Sequence, residues 1–222
     1  MGDFLNSLLL AAKPIMVPAF TLWGSPVTWL ECVACVLGIV MVMANWRVNP
    51  VAWPLAIISS LLYALLFADS KLYGGAGLQI FFVVMAFWGW WQWLRGRGDD
   101  GQALRVRTLE PRFRWLALLA TGAAWPSLGL LLDHMTDSDV PYLDALPTVA
   151  SITGQILLGR KLVENWPVWV AVNVVSVALF AHKGLWLTVG LYVVFALLAL
   201  VGWKAWLALA KQQRPAEPHA FA

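Results

Sequence analysis

Three sets of polar side chains recur at helical spacing inside long apolar stretches of this chain. Thr148, Ser151 and Gln155 fall at i, i+3 and i+7. Trp169, Asn173, Ser176 and Phe180 form a second such set, and Thr188 and Tyr192 a third. At those intervals side chains share one face of a helix. Uncharged amides and hydroxyls suit a polar neutral or weakly cationic solute, one with sugar hydroxyls and a carboxamide. Tryptophan and tyrosine faces add a stacking surface for an aromatic base, including a cationic one. The blander reading is that each Ser or Thr bonds to its own helix or to a neighbour, and for any single one it is the better reading. As a set, Asn173, Gln155, Gln79 and Tyr192 resist it, because each is long enough to reach a central cavity and none is charged.

Other chemistries find less support. His182 stands beside Lys183 with no nucleophile at a telling spacing, so no catalytic constellation is read and the chain is expected not to be an enzyme. Cys32 and Cys35 form a Cys-x-x-Cys pair, but no second pair exists and the three histidines lie far off in sequence. They read as small apolar residues on a helix rather than as a redox or zinc motif. No metal and no cofactor are expected. The Gly-rich KLYGGAG lacks the Lys-Ser/Thr of a phosphate-binding loop, so nothing points to ATP coupling. Glu31 is a candidate proton or cation site, but reads better as an interfacial or helix-pairing carboxylate.

The elements that must position these residues are membrane helices. The 222 residues are 61% hydrophobic and 12% charged, against about half and about a quarter in a soluble domain. Seven stretches approach the roughly 20 apolar residues of a spanning helix: 27–46, 51–69, 76–94, 113–132, 142–160, 166–182 and 185–207. Residues 4–22, interrupted by Lys13, Pro14 and Pro18, read instead as an interfacial helix. Basic residues set the orientation. With seven spans, one side of the membrane holds 12 Lys and Arg and the other only Lys13, Lys71 and Lys183. That places the N-terminus outside and the C-terminus in the cytoplasm, with membrane lipid as the surroundings. A net charge of +3 gives no reason to expect nucleic acid as a partner.

The chain also matches itself. Shifted by 113 residues, 53–93 and 166–206 align without a gap and agree at 13 of 41 positions. Trp53-Pro54 meets Trp166-Pro167, and Gly89, Trp90 and Trp93 meet Gly202, Trp203 and Trp206. The expected architecture is therefore all-α: a polytopic membrane protein with seven transmembrane helices, arranged 3+1+3 as two parallel three-helix repeats. Its divisions are an N-terminal interfacial segment (1–24), a first repeat (25–95), a basic loop, linker helix and acidic loop (96–140), a second repeat (141–207) and a polar tail (208–222). One linking span keeps both repeats in the same orientation, as in transporters that bind solute near the midplane between repeats. The same shift carries Asn173, Ser176 and Tyr192 onto Ser60, Tyr63 and Gln79. Ser60, Gln79, Ser151, Gln155, Trp169, Asn173 and Tyr192 are thus the candidate substrate-binding residues. In the Trp-rich FWGWWQW (87–93), the repeated tryptophans read as an interfacial belt and the glycines as points of close helix approach. Trp88, Trp91 and Gln92 are unique to the first copy and are candidates for a gate or a subunit contact.

FWGWWQW and the Trp169-x-x-x-Asn173-x-x-x-Val177-x-Leu179 pattern together resemble the PnuC-type nicotinamide riboside transporters of bacteria, over nearly the whole chain. The resemblance implies a full-length relative of the SWEET sugar-transporter fold in the bacterial inner membrane. It implies homotrimers, and facilitated diffusion made one-way by phosphorylation of the nucleoside in the cytoplasm. It also places Trp169 and Asn173 near the substrate. Relatives that carry thiamine or riboflavin are the alternative, and a non-transporting membrane scaffold is the third possibility.

Overall fold

The computed structural model describes residues 13–22, 24–69, 73–98, 101–135, 140–182 and 186–213. A short 3-10 turn (Lys13–Ile15) leads into strand β1 (Pro18–Leu22), which pairs antiparallel with β2 (Ser25–Thr28). Seven helices follow: α1 (Trp29–Trp46), α2 (Ala52–Asp69), α3 (Tyr73–Arg95), α4 (Pro111–Met135), α5 (Pro141–Gly159), α6 (Asn165–His182) and α7 (Trp186–Gln212). Apart from the hairpin the architecture is the expected all-α bundle. Among the described residues α1, α4, α6 and the 188–212 part of α7 are each long and apolar enough to cross a membrane by composition alone. The chain is a multi-pass membrane protein.

The interfacial helix expected over residues 4–22 does not form in its described part. Pro18 opens β1 instead, because proline supplies no N–H for a helical ladder. Residues 1–12 of that expectation lie outside the described residues. The hairpin delivers the chain to a capped helix. Thr28 is the N-cap of α1: its Oγ1 accepts from the Glu31 N–H at 3.2 Å, and the Glu31 carboxylate accepts from the Thr28 N–H at 2.8 Å. This reciprocal cap satisfies two otherwise orphaned backbone donors. Glu31 is thereby given a structural task. Glu31→Gln keeps the capping geometry, so it is expected to leave both the melting temperature and solute uptake unchanged, with or without an imposed pH gradient. Thr28→Ala is expected to cost about 1 kcal/mol of stability.

α1, α2 and α3 pack as one bundle, and α5, α6 and α7 as another. The bundles meet where α1 faces α7 and where α3 faces α5, contacts that the 113-residue shift exchanges. α4 packs along α5, with Thr121 Oγ1 2.7 Å from Thr153 Oγ1 and the Tyr142 ring seated against Gly129.

The turns α1–α2 and α5–α6 repeat one geometry. Val48 and Lys161 both have φ 54°, and their N–H groups donate to Asn45 O and Leu158 O. A β-branched residue in that left-handed region is strained. The same two carbonyls also bind indoles across the bundle boundary. Trp206 Nε1 donates to Asn45 O at 3.1 Å and Trp93 Nε1 to Leu158 O at 3.0 Å.

These indoles correct the expectation of an interfacial belt. Trp206 is fully buried and Trp93 nearly so. With Trp53 and Trp166 they form a row, Trp53–Trp93–Trp206–Trp166, at centroid steps of 5.4, 6.1 and 5.6 Å. The repeated glycines serve this row. A Cβ on Gly89 would fall 2.1 Å from the Trp53 ring, and one on Gly202 2.3 Å from Trp166. Gly89 and Gly202 thus make room for a tryptophan of the same bundle. Aromatic burial on that scale outweighs what an interface position offers. Of the residues unique to the first copy, Trp88 packs on Gly159 of α5, while Trp91 is exposed.

The segment between α3 and α4 closes over this end of the core. Arg107 bridges in parallel to Leu162, and Val106 is buried beneath, its N–H donating to Gln213 Oε1 at 3.0 Å. Glu164 accepts from the Leu109 N–H at 2.9 Å and pairs with Arg114 at 2.8 Å. Lys161 Nζ donates to Leu104 O and lies over the Trp93 ring. Burial there holds its ammonium below the usual lysine pKa. This is the basic end of the molecule.

Candidate functional site

A cavity of about 250 Å³ lies between the two bundles, walled by all six repeat helices and by none of α4. Trp53 and Trp166, the two outer members of the tryptophan row, line it. All seven candidate residues line it: Ser60 from α2, Gln79 from α3, Ser151 and Gln155 from α5, Trp169 and Asn173 from α6, and Tyr192 from α7. They are far apart in sequence and meet only because the bundles face each other.

The lining is built of two-fold pairs that differ in chemistry. Gly38 corresponds to Ser151, Val42 to Gln155, Ala56 to Trp169 and Ser60 to Asn173, and all eight line the cavity. At these four pairs the α1–α2 member is the smaller or apolar one, while the α5–α6 member carries the larger or more polar side chain. Asn173 and Gln155 are only 6% and 7% exposed, yet neither side chain hydrogen-bonds to any described residue. Their polar atoms are open to the cavity and have no partner there. Polar groups kept unpaired at such depth in a membrane protein are costly, and signal a solute. Trp169 lies along the smooth edge of Gly154, which holds the indole at the wall. Tyr192 stacks on Phe180 at 5.1 Å and meets Phe195 edge-on at 6.1 Å, so its ring is fixed.

Other polar positions singled out from the sequence do not reach the cavity. The Thr148 hydroxyl donates to Asp144 O within its own helix. Ser176 is buried behind the wall and Thr188 lies elsewhere on α7. Cys35 Sγ sits 3.4 Å from the Tyr63 hydroxyl, and both cysteines are free thiols. Among the described residues no group of three or more His, Cys, Asp or Glu could hold a metal.

The structure adds lining residues that were not among the candidates: Asn45, Ser59, Tyr63 (the repeat counterpart of Ser176), Asn165 and the paired Trp53 and Trp166. Ser59 is satisfied by Ala34 O at 3.2 Å. Asn45 was detectable, because an asparagine inside an apolar span is itself a signal. Asn165 was not, since it falls in the expected connection between spans 5 and 6.

Comparison with known proteins gives a consistent picture. The family described as nicotinamide mononucleotide transporter matches residues 28–208. The nicotinamide riboside transporter PnuC of Escherichia coli (strain K12) is 26% identical over 214 residues, covering 86% of this chain and 90% of that one. The riboflavin/roseoflavin transporter RibM of Streptomyces davaonensis is 30% identical over 191 residues, covering 85% and 89%. The crystal structure of the vitamin B3 transporter PnuC superposes with a TM-score of 0.70 at 24% identity, over 96% of this chain and 92% of that one. At that identity the superposition speaks for the fold.

Proposed function

The chain belongs to the nicotinamide mononucleotide transporter family, and from that premise we propose that it carries nicotinamide riboside across the bacterial inner membrane. The observation that carries this reading is the unpaired Asn173 and Gln155 amides beside Trp169 in a cavity between two repeats. Nicotinamide riboside is a cation with a carboxamide and a ribose. An indole face attracts the pyridinium ring, and neutral amides match the carboxamide and hydroxyls without presenting a like charge. Ser60, Ser151, Gln79 and Tyr192 complete the binding surface from the remaining walls.

Transport is facilitated diffusion by alternating access. The bundles rock against each other about the Trp93 and Trp206 contacts, and phosphorylation of the nucleoside in the cytoplasm makes uptake one-way. The basic end faces the cytoplasm, which puts the C-terminus inside and the N-terminus outside. The excess of Arg and Lys at that end supports this orientation. The functional unit is a homotrimer.

Kinship to a riboflavin carrier at 30% identity keeps a second vitamin in view. Uptake of labelled nicotinamide riboside into proteoliposomes is the test, with thiamine and riboflavin as competitors. Saturable uptake that neither competitor blocks supports the riboside. Block by one of them moves the assignment to that vitamin, and no uptake of any of the three overturns transport.

A further inference from the structure

Gly154 is buried on α5 next to Gln155 but does not itself line the cavity. It lies within the helix and has no positive φ, so backbone conformation gives no reason for a glycine there. A glycine inside a helix is less stable than an alanine, because it loses more chain entropy and packs no side chain. What the missing side chain provides is space. A Cβ at this position would come 3.2 Å from Trp169 Cε2 and 3.4 Å from Trp169 Nε1, with Val168 Cγ1 at 3.3 Å. Carbon contacts are best at about 3.5–4.0 Å, so the indole or the helix would have to yield. Trp169 also packs against the core, and the cavity it lines is open space into which its ring can give.

The repeat shows that this space goes with the indole. Gly154 and Trp169 correspond to Met41 and Ala56, and both of those line the cavity. The first copy thus puts the large side chain on its first helix and the small one on its second, and the second copy reverses the order. Gly89 and Gly202, which admit Trp53 and Trp166, are the same in both copies and serve the buried row. Gly154 is different. It accompanies Trp169, the one tryptophan among the described lining residues whose counterpart is not a tryptophan.

We propose that Gly154 is a specificity-determining residue that acts through Trp169. By leaving out a Cβ it sets how far the indole stands back from the solute. That distance decides whether a planar aromatic base fits against the ring at van der Waals separation. Small displacements matter, because close contact turns repulsive and a gap forfeits dispersion and cation–π attraction. The inference rests on the reading of the chain as a riboside carrier, and concerns the base of the solute rather than its sugar.

Calorimetric binding of nicotinamide riboside to the purified full chain tests this. Gly154→Ala is expected to weaken binding about tenfold, with a melting midpoint at or above that of wild type. Trp169→Ala, which installs the residue found at Ala56, also weakens binding. Added to it, Gly154→Ala should cost nothing further, because no indole is left to displace. Wild-type affinity in Gly154→Ala, or full additivity of the two losses, would overturn the proposal. Val168→Ala separates the indole from the helix, since it removes the other side chain that a Cβ would meet. Alone it should bind as wild type does, and combined with Gly154→Ala it should leave the tenfold loss in place. Recovery of binding in that pair would show that the spacing of α5 and α6 sets the effect. That result would overturn the proposal even where Trp169→Ala binds too weakly to measure. A wild type that binds no nicotinamide riboside ends the riboside assignment on its own. The same variants then run with riboflavin, whose ring system is also planar. Coupling between Gly154→Ala and Trp169→Ala there sustains the positioning role, and additivity ends it. A chain that binds neither ends both.

Discussion

Trp206→Ala is expected to be among the most destabilising single substitutions in the chain, by roughly 3–5 kcal/mol. The ring is fully buried, packs edge-on against Trp166 at 5.6 Å, and contacts Trp93 at 6.1 Å. Its removal leaves a hole at the junction of the two bundles. It also strips a shared donor from Asn45 O and Trp46 O, each 3.1 Å from Nε1. Trp206→Phe keeps most of the packing and loses the N–H, so it should cost only about 1–3 kcal/mol. The midpoint of thermal unfolding in detergent checks both. Equal losses from the two variants would show that the hydrogen bond, and not the packed ring, dominates at this position. Trp91→Ala, at an exposed position of the same motif family, should leave the midpoint nearly unchanged.

The second large effect is on transport. Asn173→Leu removes an amide that bonds to no described residue, so the fold loses little. The solute loses a partner held in a pocket that is 6% exposed at that residue. A concentration for half-maximal uptake raised about 5- to 150-fold is expected, with a melting midpoint close to wild type. Gln155→Leu should act in the same direction. The control is Thr188→Ala, on α7 but off the cavity lining, where uptake should keep its wild-type dependence on concentration. Wild-type uptake by both amide variants would remove these residues from the site.

The two variants test different levels of one design. Trp206 holds the bundles in register, and Asn173 uses the space that register leaves. The 113-residue repeat accounts for both. Where the copies agree, as at Trp53/Trp166, Gly89/Gly202 and Trp93/Trp206, the residues build the shared scaffold. Where they differ, as at Ala56/Trp169, Val42/Gln155 and Ser60/Asn173, the residues line the cavity unequally. An asymmetric solute needs an asymmetric wall, and these unequal pairs supply one.

Much of this was legible beforehand. Apolar runs near 20 residues located all seven helices, because lipid demands a continuous apolar helix of that length. The ungapped self-match gave the 3+1+3 plan. The candidate residues were identified because uncharged amides in a membrane helix are expensive enough to need a reason. The N-terminal hairpin was not legible. Residues 4–22 read as an interfacial helix, while in their described part Pro18 and the short β-pairing, which depends on a partner strand, give a strand instead.

The sequence by itself determined the membrane class, the number and order of helices, the repeat, and which residue types were available to a solute. Those properties depend on local composition and on the matching of one stretch with another. Only the tertiary structure decided which side chains lost their partners. FWGWWQW shows the difference. Its tryptophans looked like an interfacial belt, because Trp beside Arg at a helix end is the usual signature of one. Packing of α3 against α5 buried Trp93 instead, and gave its N–H to Leu158 O. Packing of α2 against α3 sealed Trp53 against Gly89, and its N–H found no partner. Whether an indole is anchored, satisfied or left bare depends on atoms more than 30 residues away in the chain, and no local pattern encodes that distance.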